Sequence, residues 1–155
     1  MNKKINFDRY EIRDRDLSIF LEKAKKVYLK FYSHEFQYNE TEAIQELGLD
    51  TELIHQLLED YVSQIIGSIK TFERLVFQLQ DANNTTQKLD YTELRELAHK
   101  HLGVAKNLRI KDVEKLLSYL MHEDDLEDLL YYIKVLQASV ICLKPSYAFK
   151  LLNTL

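Results

Sequence analysis

Few side chains in this sequence can carry covalent or proton-transfer chemistry beyond the usual carboxylates and amines: five histidines and one cysteine. His99 is set apart by its surroundings, with Arg95 four residues before it, Gly103 four after and Lys106 seven after. On a helix, residues at those spacings share a face. An imidazole whose ordinary pKa is about 6.5 is a usable nucleophile near neutral pH. Neighbouring cations offset added negative charge, and a glycine one turn away leaves room for another protein's active site. Such a set suits the carriage of a phosphoryl group, because that transfer rests on in-line positioning and charge neutralisation. His99 is therefore the candidate phosphoacceptor, with Lys106, Arg95, Gly103 and Lys100 in supporting roles. Leu102 is expected to be exposed beside it and, with Gly103, to form a docking surface for a partner.

The remaining reactive residues read as structural. His101 falls on the inward side of the same helix, where a hydrogen-bonded core or boundary histidine is expected. His122 with Glu123, Asp124 and Asp125 is a weak metal signal, since the ligands share one short loop, and helix capping explains the aspartates better. His34 and His55 have no companions at ligand spacing. Cys142 is expected to be a small buried hydrophobe. The three glycines, Gly48, Gly67 and Gly103, are too scattered for a phosphate-cradling loop, so any phosphate must come from another protein.

The elements that must position these residues follow from apolar spacing. Leu17, Phe20, Leu21, Ala24, Val27, Tyr28 and Phe31 predict an amphipathic helix over about residues 13–36. A short capping helix over Thr41 to Leu47 ends at Gly48. Asp50 is placed to cap a long helix whose stripe runs from Leu53 to Leu79, followed by a loop over Asp81 to Gln87. Asp90 with Glu93 resembles a capping box at the start of the His99 helix, which runs to Leu108. At roughly 100° per residue its inward stripe centres near His101, and His99 points about 150° away from that centre, towards water. A further helix covers Ile110 to Met121. Asp124 or Asp125 caps a last long helix from Leu126 to about Leu143, and Pro145 opens a terminal turn.

With 155 residues, few glycines and a single proline, one main all-α domain is expected and a turn-rich β fold is excluded. The fold expected is an up-and-down antiparallel four-helix bundle over residues 41–145, with an extra N-terminal helix in residues 1–40, a short capping helix, and a C-terminal turn in 146–155. The net charge of -4, with both signs interspersed, favours neither nucleic acid nor an anionic membrane as a partner. No apolar run is long enough to span a membrane and the N-terminus has no secretory apolar core, so a cytoplasmic location is expected. The N-terminal helix carries enough apolar surface to form a homodimer, or to pack on its own bundle.

The stretch from Leu97 to Leu108, Leu-Ala-His-Lys-His-Leu-Gly-Val-Ala-Lys-Asn-Leu, resembles the active helix of bacterial histidine phosphotransfer (HPt) domains. That family's usual pattern is His-x-x-Lys-Gly followed by small residues and Asn-Leu, and His99 and Gly103 match it by position. The likeness extends upstream through Glu42 to Leu49 and Leu53 to Leu58, and downstream to about Leu143. It implies a four-helix bundle whose histidine exchanges phosphate with receiver-domain aspartates or takes it from a histidine kinase. The expected partners are thus a response-regulator receiver domain, a hybrid histidine kinase, or both. The magnesium of that chemistry belongs to the receiver, so no cofactor is implied here. Two positions depart from the pattern: Leu102 replaces the lysine three residues after the histidine, and His101 stands where an apolar residue is usual. Lys106, about 20° around the helix from His99, is the expected substitute for the lysine. Such a protein is a stoichiometric carrier; the alternative is an HPt-like helical module that binds a receiver or kinase without being phosphorylated.

Overall fold

A computed structural model describes residue 12 and residues 14–85 and 87–154. Within them are seven helices and no strand: α1 (Leu17–Tyr32), α2 (Glu40–Leu47), α3 (Thr51–Asn84), α4 (Thr92–Leu108), α5 (Lys111–His122), α6 (Leu126–Leu143) and α7 (Pro145–Thr154). Arg13, at the expected start of the first helix, and Thr86, in the expected loop, lie outside the described residues.

Short polar side chains start most of these helices by accepting a hydrogen bond from a first-turn N–H that has no intrahelical partner. Asp16 accepts from Ile19, Asn39 from Glu42, Asp50 from Leu53 and Asp125 from Asp128, at 2.7 to 3.1 Å. Gly48 ends α2 in the left-handed conformation at φ 66°. Four boundaries differ from the sequence expectation, the first being α1, which ends at Tyr32 rather than near Phe36, with Ser33 left-handed at φ 62°. Helix α3 continues through Asn84, into the segment expected to be a loop, because extending a long helix adds a hydrogen bond for each residue fixed and outweighs weak local propensity. Helix α4 starts at Thr92, and Asp90 bonds the N–H and Oγ1 of Thr92 rather than closing a capping box. The terminal turn is a ten-residue helix with Pro145 at its first position, where no N–H is needed.

Helix α6 is the hub, packing against α1, α3, α5 and α7. Every residue from Val135 to Ile141 is buried, as expected for a helix surrounded by others. Helices α4 and α5 form a hairpin joined by Arg109 and Ile110, and α3 packs on both α4 and α6. Phe20, Ala24 and Tyr28 of α1 belong to the same core as Ile65, Leu94, Leu117 and Leu136. Among the described residues, no helix is long and apolar enough to cross a membrane.

Candidate functional site

Helix α4 divides sharply into two faces. Leu94, Ala98, His101, Leu102, Ala105 and Leu108 are buried, while Glu96, His99, Lys100, Gly103, Lys106 and Asn107 are exposed. The structure thus brings His99, Lys100, Gly103 and Lys106 together on one solvent face. A Cβ built on Gly103 would meet no atom within 4 Å, so the chain's own packing does not require glycine there. Lys106, about two turns along the helix from His99, is exposed and forms no ion pair with the described residues.

Two expectations about this face are corrected. Leu102 is not exposed: it retains 9% of its surface and sits in the hydrophobic core. Helix α4 packs against both α3 and α5, so its buried sector is wider than a single apolar stripe and takes in Leu102. Of the two residues expected to dock a partner, only Gly103 presents itself to solvent. Arg95 is not an unengaged cation either. Its Nη2 lies 2.6 Å from Asp124 Oδ1 and its guanidinium stacks 4.7 Å from the centre of the Tyr91 ring. Tyr91 in turn donates to the Asp124 carbonyl at 2.8 Å, so this trio ties the start of α4 to the loop after α5.

His101 is the core histidine that its position implied. It is 1% exposed, its Nε2 lies 2.8 Å from Ser68 Oγ, and its carbonyl accepts from the Tyr61 hydroxyl at 3.0 Å. Burial, helped by the positive charge of Lys100, lowers its pKa to about 4 and keeps the ring neutral. These contacts fasten α4 to α3 at the level of His99 and fix which way His99 faces.

The other reactive residues fall as follows. Among the described residues no group of three or more His, Cys, Asp or Glu side chains is arranged to hold a metal. His122 Nδ1 lies 2.7 Å from the Ser118 carbonyl, and Asp125 caps α6. Cys142 is half-buried and burial pushes its thiol up to about 11, away from thiolate chemistry. An open groove of about 320 Å³ is lined by Leu47, Leu57, Asp60, Gln64, Val104 and Asn107. His55, for which sequence spacing offers no companion, gains two: Glu40 on one ring nitrogen and Lys144 on the other. They are too far away in sequence for any local pattern to reveal them.

Comparison of this chain with models of known families, with curated proteins and with solved structures finds no match.

Proposed function

We propose that this chain is a histidine phosphocarrier of the HPt type, taking a phosphoryl group on His99 and passing it to or from a receiver-domain aspartate. In this reading α3, α4, α5 and α6 are the antiparallel four-helix bundle, α2 caps it, and α1 and α7 are additions. The observation that carries the proposal is His99 exposed in mid-helix, one turn from a glycine whose missing side chain the chain itself does not need. That gap is the room a visiting active site requires.

The chemistry is a reversible displacement. A ring nitrogen of His99 attacks the phosphorus of an aspartyl phosphate, the N–P bond forms, and the P–O bond breaks with its electrons going to the aspartate carboxylate. In the other direction the carboxylate regains the group. Lys106 offsets charge on the phosphorylated ring, while the neutral, anchored His101 holds the helix in register beneath it. The partners are a receiver domain, a hybrid histidine kinase, or both, with the magnesium held by the receiver and the exchange taking place in the cytoplasm. The protein is a carrier consumed and regenerated stoichiometrically.

The test is incubation with a phosphorylated receiver and Mg2+, followed by detection of an acid-labile, base-stable phosphate. The label is expected on the wild-type protein and absent in His99→Gln. Lys106→Ala is expected to slow formation of phosphohistidine or shorten its lifetime; kinetics equal to the parent's would remove Lys106 from the mechanism. A second reading, a receiver-binding module that is never phosphorylated, is favoured by Leu102 being buried where a lysine is usual and by Arg95 being engaged with Asp124. Receiver binding without any label on His99 would establish it over the first.

A further inference from the structure

Away from α4, side chains from three elements meet at one corner of the surface. Glu40 opens α2, His55 lies in the second turn of α3, and Lys144 follows α6 immediately before Pro145. His55 Nε2 is 2.9 Å from Glu40 Oε1, and His55 Nδ1 is 2.5 Å from Lys144 Nζ. A carboxylate can only accept here, so the Glu40 contact places the ring proton on Nε2. That tautomer leaves the Nδ1 lone pair directed at the lysine amine. Orienting carboxylate, base and nucleophile are thus arranged in series, the arrangement by which imidazole bases activate nucleophiles elsewhere.

The corner is open: the side chains of His55 and Glu40 keep 41% and 36% of their surface. A clamp between helices is made most simply by pairing the ammonium with the carboxylate directly, whereas here the imidazole stands between them. Lys144 also sits at the entry to α7, whose first-turn N–H groups on Ser146 and Tyr147 have no intrahelical acceptor. Those donors suit an anionic reagent beside the amine.

We propose that Lys144 is a nucleophilic modification site, activated by His55 and Glu40, that accepts an acyl group from a small acyl phosphate. The ammonium first gives up one proton to water. Nζ then attacks the carbonyl carbon, the N–C bond forms, and the C–O bond to phosphate breaks with its electron pair leaving on the phosphate. The second Nζ proton passes to His55 Nδ1, where the Glu40 carboxylate stabilises the imidazolium, and from there to the departing phosphate oxygen, so that the leaving group is released as the hydrogen phosphate dianion. The product is a neutral amide at Lys144, which removes a positive charge from the corner where α2, α3, α6 and α7 meet.

The experiment treats the full chain with acetyl phosphate and follows acetylation of each lysine by site-resolved mass spectrometry. Lys144 is expected to react at least about tenfold faster than the exposed Lys70 and Lys106, a threshold set below the roughly hundredfold or more that a positioned general base supplies. His55→Gln preserves hydrogen bonding but cannot take a proton, and should bring Lys144 down to the rate of the reference lysines without changing theirs. Glu40→Gln, which leaves α3 untouched, should lower the Lys144 rate in the same sense and decides the matter if His55→Gln alters the circular dichroism. Equal rates at Lys144 and the reference lysines, or a Lys144 rate indifferent to Glu40→Gln, would overturn the proposal.

Discussion

At the scale of single residues, two histidines two positions apart in α4 have opposite environments, and each environment sets what the ring can do. His99 lies in water, where the imidazole is open to a reaction partner. His101 is buried against Ser68, Tyr61 and Phe72, and its pKa falls to about 4. The depressed value makes the stability of the protein depend on acidity in a defined direction. In the unfolded chain the ring titrates near 6.5, so between there and about 4 the unfolded state binds a proton that the folded state refuses. The His101 contribution is therefore complete above pH 6.5 and is lost as the pH falls towards 4. On the order of 2 kcal/mol should disappear from the unfolding free energy between pH 7 and pH 4.5 on this account. His101→Leu should shed that part of the acid sensitivity, read as a smaller fall in the urea midpoint over the same interval; an identical fall in both proteins would refute the assignment.

At the scale of elements, the helix starts are controlled by side chains that the sequence displays openly. Asp125 accepts from the Asp128 N–H at 2.9 Å and opens α6, the helix on which α1, α3, α5 and α7 all pack. Asp125→Ala should lower global stability by about 1 kcal/mol, measurable by chemical denaturation, and no loss would show that packing alone holds the α6 start. The caps at Asp50 and Asp125, the stop at Gly48, the entry at Pro145 and the outward turn of His99 are legible in sequence because each is settled within about one helical turn. Leu102 is not, because its burial depends on α3 and α5 lying against α4, and a wheel drawn for α4 alone contains no neighbours. Arg95 is misjudged for the same reason: Asp124 approaches it from beyond α5. The trio of Glu40, His55 and Lys144 is invisible until α2, α3 and α6 are brought together in space.

At the scale of the whole molecule, the question is whether α1 is an appendage or a part of the fold on which His99 depends. Its inner face is committed within the chain: Phe20 keeps 1% of its surface, and Ala24 and Tyr28 none. Phe20 packs edge-on against Phe149 of α7 at 5.4 Å. The hydroxyl of Tyr28 donates to the Asp112 carboxyl, and that of Tyr32 to the Asp112 carbonyl at 2.5 Å, so α1 is fastened to the start of α5 as well as lying along α6. A homodimer through α1 would accordingly have to use its outer residues, Leu17, Ile19 and Leu29, which are exposed singly. Removing a buried aromatic side chain costs about 3–5 kcal/mol when its cavity cannot collapse. If α1 shares the core with the remaining helices, Phe20→Ala should lose an amount of that order from global unfolding, in one transition. Amide exchange at Leu102 and Ala105, at the heart of α4, should then quicken by the corresponding factor, because those amides open only when the whole core does. Rapid exchange confined to α1, with Leu102 and Ala105 as protected as in the parent, would instead mean that the first helix frays by itself and that His99 is presented by α3 to α6 alone.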